Sequence, residues 1–542
     1  MVARIAARNA SHEPQLESSP VQNVDLKTSS ALNEQVLHHN SHLLPQCRAH
    51  LGHVYTTICA DVLARFHRLA GDETFLLTGT DEHGIKMVNT AAEKGLEPRQ
   101  LAERVSGVFR SLWQELNITN DDFIRTSSPR HQQCVQSIIR RLLDNGDIYL
   151  GTYEGWYDEG QEDFVTETEA RTRNYTAFNG KPLTKFSEPS YFFRLAKYVD
   201  RLLAVLTSNP DFIQPRERYN EVVSKLKEGV RDLSISRTTL KWGIPFPNDP
   251  EHVVYVWLDA LSNYISALNY GNDHDARFQE LWPADVHLIG KEILWFHAVY
   301  WPCILLSLGE PLPRKIFAHG WWLSGGRKMS KTEGNFIGIE KLRGEIGNYG
   351  LDSLRYYLLR ASSFGNDLNW VDAELARSFS ELSNTVGNCL QRTLKMVARY
   401  RNRILPAREA DSLLTTEDRA LISQTQALLP ALSTAYEELQ LQRCALLPVE
   451  LARAVNVYIE TTAPFQLAKD PAKARRLDTV LNLTTQGVYA ALAGLLPILP
   501  HKAQEGLNQL EVPAGTASWR NLSLPLPDGH ALSEGKPLFQ RA

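Results

Sequence analysis

Two short stretches hold residue types that could handle a nucleotide. "CRAHLGHVY" sets His50 and His53 three residues apart around Gly52, immediately before an amphipathic pattern. Imidazoles placed there can donate hydrogen bonds to phosphate oxygens, and the glycine lets a flat base lie against backbone. Far downstream, "GGRKMSKTEGN" carries Lys328 and Lys331 on a glycine-flanked loop, where two ammonium groups could lie over a triphosphate. No GxxxxGK[ST] loop surrounds them, so a nucleotide would be held by another device. Either stretch alone is commonplace, because solvated histidines and lysine-rich loops abound. Paired at the edges of one interrupted α/β domain, they are far more specific.

The elements that must position these residues can be read from periodicity. Apolar positions 54, 55, 58, 62, 63 and 66 recur at helical spacing and Gly71 ends the run, which predicts a helix over 53–69. "ETFLLTGTDEHG" predicts a buried strand at 74–77, whose carboxyl end delivers the turn 78–84 with Asp81, where open α/β sheets receive ligands. Helices follow at 98–116 and 129–145. From 151 to 242, short aromatic runs broken by Gly, Pro and Asn predict an inserted, β-containing module. The α/β rhythm then resumes with strand "HVVYVW", a helix over 258–268, strand "VHLIG", a helix over 293–308 kinked at Pro302, and strand "KIFAHGWWL". Beyond Asp372 nearly everything has helical period, punctuated by Pro406 and Pro430, which predicts a helix bundle. Residues 1–45 show no convincing strand and read as a polar, disordered extension.

With 542 residues there is room for about three domains, each with its own core. The 58 basic and 62 acidic residues leave a formal charge of −4, so a nucleic-acid partner must be met by local patches. The longest mostly apolar run, 488–499, is too short to span a bilayer and contains Pro497. Six cysteines without a CxxC pair point to a reducing compartment, with neither a disulfide framework nor a zinc knuckle. The basic start "MVARIAARNASH" admits a transit peptide, although no apolar signal region follows.

Together with "LTGTDEHG", "DLSISR", "WGIPFP", "YVWLDALSNY", "HLIGKEILWFHAVYWP" and "HGWW", the two signatures make the chain resemble class I aminoacyl-tRNA synthetases, specifically methionyl-tRNA synthetases of bacterial or organellar type. The resemblance runs from about His50 to the C-terminus. It implies an α/β fold: a discontinuous Rossmann-like catalytic domain with an inserted connective module, followed by an α-helical bundle that binds the anticodon. The corresponding divisions are 1–45 (atypical extension), 46–147 and 248–327 (catalytic halves), 148–247 (insert), 328–375 (lysine loop and stem contact) and 376–542 (bundle).

The activity implied is methionine–tRNA ligation: ATP activates L-methionine to the adenylate, and the aminoacyl group passes to tRNA(Met), the initiator included. By resemblance, His50, His53, Lys328 and Lys331 are catalytic, and Gly52, Lys291, Glu292 and Lys331 bind ATP, which arrives with Mg²⁺. Glu292 stands where the family usually has Asp, and Thr332 where it has Ser. Asp81 faces the methionine ammonium. Trp257, Ala260, Leu261 and Tyr264 share one helix face at i, i+3, i+4 and i+7. With Ile293 and His297 from a second face they would hold the thioether, while Trp301 and Ile304 read as core. Asn388, Arg392 and Phe465 fall on anticodon-reading positions, Phe465 replacing the usual Trp.

Asp158 and Gln161 stand where relatives that bind zinc begin a cysteine pair, so no structural zinc is expected. Cys47 with the two histidines superficially suggests a metal cluster, but those rings belong to ATP. The resemblance further implies a monomer, no membrane, and a cytoplasmic setting, with the mitochondrial matrix as alternative. One segment departs: before the histidines the family has a first strand like ITTPIYYVN, and here "NSHLLPQCRA" has no such pattern. That predicts either a gene-model or reading-frame error at the start, or a divergence that impairs adenylation and leaves a tRNA-binding relative. A small HxGH nucleotidyltransferase is disfavoured by the long helical C-terminal region.

Overall fold

The computed structural model describes residues 3–9, 49–158, 163–165, 167–177, 180–271, 276–329, 334–361, 363–516 and 518–540. Its main sheet has six strands: β1 (Ala3–Asn9), β2 (Asp72–Thr80), β3 (Asp122–Arg125), β4 (Ile213–Gln214), β5 (Val286–Gly290) and β6 (Ile316–His319). They lie in the order β3-β2-β1-β5-β6-β4. β2 and β3 are parallel, with Leu77 opposite Asp122 and Thr80 opposite Arg125.

The position of β1 corrects the expectation that nothing before the histidines forms a strand. "ARIAARN" has one β-branched residue and no clean alternation, so its intrinsic preference for extended backbone is weak. Neighbours on both sides satisfy its amide groups and override that preference. The departing segment "NSHLLPQC" lies outside the described residues.

Among the described residues, helices that position the site or build the bundle include α1 (Leu51–Ala70), α2 (Pro129–Asp144), α3 (Val256–Ser266), α4 (Trp301–Leu308), α5 (Leu351–Arg360), and the bundle helices α6 (Asn388–Arg401), α7 (Thr416–Glu437) and α8 (Leu441–Thr462), against which the buried helix Ala474–Leu495 packs. The chain forms two compact units, one from 1–50, 77–287 and 292–316, the other from 51–76, 288–291 and 317–542.

In the first unit, the insert is built on a long antiparallel pair, with Ile148 opposite Phe193 and Tyr157 opposite Thr184. Its tip has a small core of Val165, Ala170, Ala177 and Leu183, covered by Trp156 and Tyr175. Glu167 accepts hydrogen bonds from Trp156 Nε1 at 2.6 Å and Tyr175 Oη at 2.8 Å. Of the two positions where a cysteine pair would begin, Asp158 is buried and Gln161 lies outside the described residues.

In the second unit, α1 is buried almost all round and ends at Gly71, whose φ of +96° suits a residue without Cβ. Its buried Asp61 is paired with Arg355 of α5 and with Arg65, each at 2.7 Å. Arg355 in turn donates to the Ile498 carbonyl at 2.9 Å, so the helix that follows the histidines is tied to the bundle by a buried ion pair.

Three expected elements differ in detail. The helix over 293–308 is a 3₁₀ turn (Lys291–Ile293), a π-turn (Phe296–Tyr300) and then α4. The break therefore precedes Pro302, which sits in the first turn of α4, where its missing N–H costs nothing. Pro430 does not end a helix but lies inside α7, as Pro448 lies inside α8, because packing against neighbouring bundle helices outweighs one lost backbone bond. "KIFAHGWWL" is two strands, β6 and β7 (Trp322–Ser324), broken at Gly320 and Trp321. β7 pairs with β8 (Arg327–Lys328) and, in parallel, with β9 (Leu368–Trp370).

Candidate active site

In the first unit, the end of β2 delivers Asp81 to an exposed position while the two residues after it are buried. Glu82 is fixed by Thr80 Oγ1 at 2.7 Å, by both arms of Arg125 at 2.7 and 3.0 Å, and by the Ser127 hydroxyl. Trp242 Nε1 donates to the Glu82 carbonyl at 2.7 Å. His83 Nδ1 meets Asp259 Oδ2 of α3 at 2.5 Å, and Asp259 Oδ1 meets His131 Nε2 of α2 at 2.7 Å. His131 Nδ1 closes the network on Ser266 Oγ at 2.7 Å. Burial opposes charge on His83, but the Asp259 carboxylate outweighs it and holds the imidazole above its ordinary pKa. Burial likewise opposes charge on Asp259, and the two histidines outweigh it. A buried, charge-assisted network thus locks the turn bearing Asp81 to α3.

α3 also carries the predicted stripe. Leu261 and Tyr264 are buried, and Trp257 and Ala260 are half-buried. Trp257 stacks on Phe296 with centroids 3.7 Å apart. Tyr264 Oη lies 2.9 Å from His297 Nε2, and His297 Nδ1 lies 2.9 Å from the Ile293 carbonyl. Burial drives the His297 pKa down to about 4, so the ring is neutral. A neutral ring donating Nδ1–H to Ile293 must accept at Nε2, so the Tyr264 hydroxyl donates. Tyr264 and His297 thereby satisfy each other, while the buried Trp257 Nε1 has no hydrogen-bond partner. Trp301 and Ile304 are fully buried, as core residues should be. The structure therefore brings together Trp257, Tyr264, Ile293 and His297.

The second unit joins the two signatures. The Leu51 N–H, in the histidine stretch, donates to the Ile337 carbonyl at 3.1 Å, just past the lysine loop. Thr56 Oγ1 bonds the Gly52 carbonyl at 3.0 Å and lies 2.7 Å from His319 Nε2 at the end of β6. Gly52 and His53 are half-buried in this first turn of α1, and His50 is half-buried just before it. Lys291 and Lys328 each place Nζ 4.1 Å from the centre of the Trp321 ring. Lys291 is also bonded to both oxygens of Asp367, at 2.7 and 2.9 Å, while Glu292 is exposed beside it. Asn335 Nδ2 donates to the carbonyls of Ser324 and Lys328 at 3.2 Å, pinning the loop's base. Lys331 and Thr332 lie outside the described residues.

On the bundle, Asn388 is exposed and Arg392 half-buried on α6, with Arg392 Nη1 3.6 Å from Glu460 at the end of α8. Phe465 follows in the short helix Pro464–Leu467, half its surface exposed. An exposed ring of this size, unsupported by packing, suits stacking on a flat partner. Among the described residues no group of three or more His, Cys, Asp or Glu is placed to hold a metal ion. No helix there is long and apolar enough to cross a membrane.

Residue-type reasoning missed His131, Asp259, Trp321 and Asp367, and it gave His83 no role. His83 and Trp321 lay inside the noticed runs "TDEHG" and "HGWW", and Asp259 inside "WLDAL". Asp367, in the turn-like "FGNDLNW", carried no signal of its own.

A family model described as tRNA synthetases class I (M) matches residues 43–176 and 174–394. A methionine–tRNA ligase of Halalkalibacterium halodurans is 42% identical over 511 residues, covering 92% of this chain and 77% of that protein. That of Bacillus subtilis is 40% identical over 512 residues, covering 92% and 76%. Among solved structures, Mycobacterium tuberculosis methionyl-tRNA synthetase in complex with methionyl-adenylate superposes with a TM-score of 0.86 at 37% identity, over 91% of this chain and 97% of that one. Its apo form gives 0.77 at 33% identity, over 93% and 96%.

Proposed function

The chain belongs to the methionine branch of the class I tRNA synthetases, and on that basis we propose how its residues divide the work of a methionine–tRNA ligase. The reaction activates methionine with ATP to methionyl-adenylate and then charges tRNA. A carboxylate nucleophile is already ionised at neutral pH, so the first step needs no general base. It needs positioning and neutralisation of charge on the transferring phosphate.

Asp81 pairs with the substrate ammonium. Trp257, Ala260, Leu261, Tyr264, Ile293 and His297 form the wall for the thioether, which gains S···π contacts and meets a Tyr264–His297 pair already bonded to each other. His50 and His53 donate to phosphate oxygens, Gly52 admits the adenine, Lys291 binds ATP, and Glu292 lies near the nucleoside. Lys328 and Lys331 neutralise the α-phosphate and the departing pyrophosphate. Mg²⁺ enters as part of the ATP complex, held mainly by phosphate oxygens, and the cationic groups offered here suit phosphate rather than metal. Asn388, Arg392 and Phe465 read the anticodon of tRNA(Met), the initiator included. The reading extends to a monomer working in the cytoplasm.

The observation that carries this reading is the Leu51 to Ile337 hydrogen bond, which makes two distant signatures neighbours. The match to methionine–tRNA ligases over 92% of the chain also disfavours a silent, tRNA-binding relative. The test is methionine-dependent ATP–pyrophosphate exchange alongside tRNA charging. Lys331→Ala should lose exchange by about a hundredfold or more while tRNA binding persists. Phe465→Ala should weaken charging about tenfold with exchange nearly intact. Wild-type protein that binds tRNA but gives no exchange would sink the catalytic reading, and equal loss in both reactions of Phe465→Ala would sink the anticodon assignment.

A further inference from the structure

Between β6 and β7 the chain passes through Gly320 and Trp321. A side chain at position 320 would collide with the Asn366 carbonyl, so this glycine lets the segment 366–369 close over the gap. That segment fastens the Trp321 backbone on both sides: its N–H donates to Asp367 Oδ1 at 2.8 Å, and its carbonyl accepts from the Leu368 N–H at 2.8 Å. Asn369 Oδ1 accepts from the Gly326 N–H at 3.0 Å, at the base of the lysine loop. Around the Trp321 ring stand two ammonium groups, Lys291 and Lys328, both 4.1 Å from its centre. Two like charges around one ring repel. The indole π-face and the Asp367 carboxylate offset that repulsion.

We propose that Trp321, oriented by Asp367, is a positioning residue for adenylate formation, seating Lys291 and Lys328 where they reach the triphosphate. This rests on the assignment of those two lysines to ATP. Lysine side chains are long and flexible, with much rotamer freedom to lose when they engage phosphate. A shared aromatic seat narrows that freedom beforehand, and the carboxylate keeps the site near neutral until the anionic nucleotide displaces it. The indole acts through the lysines, without touching methionine.

The test is pyrophosphate exchange on the full chain, with ATP and methionine varied separately. Trp321→Ala should lower kcat/KM for ATP about tenfold and leave the methionine KM within about twofold, and Trp321→Phe, which keeps a π-face, should recover about half of the loss. Asp367→Asn, which keeps an acceptor for the Trp321 N–H but not the charge facing Lys291, should show the same ATP-selective loss in weaker form. It carries the test if the alanine variant does not fold. Wild-type kinetics in Trp321→Ala, equal changes in both substrates, or a phenylalanine variant no better than alanine would overturn the proposal. Lys291→Ala and Lys328→Ala separate the two levels. If neither impairs ATP use, the assignment of the lysines fails; if both do and Trp321→Ala does not, the positioning role alone fails.

Discussion

On the proposed assignment, the aromatic wall of the first unit and the lysine cluster of the second receive their ligands by opposite means. Tyr264 and His297 are 1% and 2% exposed and spend their hydrogen-bonding capacity on each other. In the lysine cluster, Lys328 is exposed, and the side chains of Lys291 and Asp367 keep 16% and 37% of their surface. The difference follows from the ligands. A thioether offers no charge and only weak polar contacts, so selectivity must be built in advance as a dry, shaped surface. A triphosphate brings its own charge, so solvent-facing cations held within reach of it suffice. The amino-acid half should therefore be brittle to changes that alter polarity, and the nucleotide half to changes in charge.

The largest test of this contrast is at Asp81, the exposed carboxylate proposed to meet the methionine ammonium. Asp81→Asn keeps the shape but removes the anion facing the ammonium, so kcat/KM for methionine should fall about a hundredfold. The ATP KM should stay within about twofold in the same exchange assay. A comparable loss for ATP would mean that the two halves are not separable.

Next in size is Asp259, which reaches the substrate only through His83. Asp259→Asn retains one acceptor where two histidines need one each, so the turn bearing Asp81 loosens and the methionine KM should rise about tenfold. Melting curves supply a second readout. His83 is held above its ordinary pKa of about 6.5, so its charged form adds stability that is complete below that value and is lost as pH rises through the raised pKa. The Tm advantage of the wild type over Asp259→Asn should therefore shrink as pH rises above about 6.5. An advantage that grows over that range would show that His83 is not held charged.

How much of this was legible in the sequence varied with the kind of information. The α3 face was legible because i, i+3, i+4 and i+7 lie on one helix and need no tertiary knowledge. The buried network was not, since His83, His131 and Asp259 come from three separate elements that only the fold brings together. Strand β1 was missed because a central strand can draw its stability from partners rather than from its own residues. The π-turn before α4 was hidden because the kink was assigned to the proline downstream of it. Asp367 was invisible for a related reason: its partners, Lys291 and the Trp321 N–H, are made neighbours by backbone pairing of β7 with β9.

The smallest expected effect bears most directly on the Tyr264–His297 pair, which is polar but satisfied. Tyr264→Phe removes the hydroxyl that donates to His297 Nε2. His297 cannot turn to a new partner, because its Nδ1–H is engaged by the Ile293 carbonyl, and with a pKa near 4 it does not acquire a proton at neutral pH. Its Nε2 lone pair is then an unsatisfied acceptor against the substrate. Methionine cannot satisfy it, so the methionine KM should rise about threefold. Homocysteine carries a thiol that can donate, weakly, and should lose less. The ratio of kcat/KM for methionine over homocysteine should accordingly fall severalfold in exchange assays, an effect on the order of 1 kcal/mol. An unchanged or higher ratio would mean that the Tyr264 hydroxyl is already turned towards the substrate rather than spent on His297.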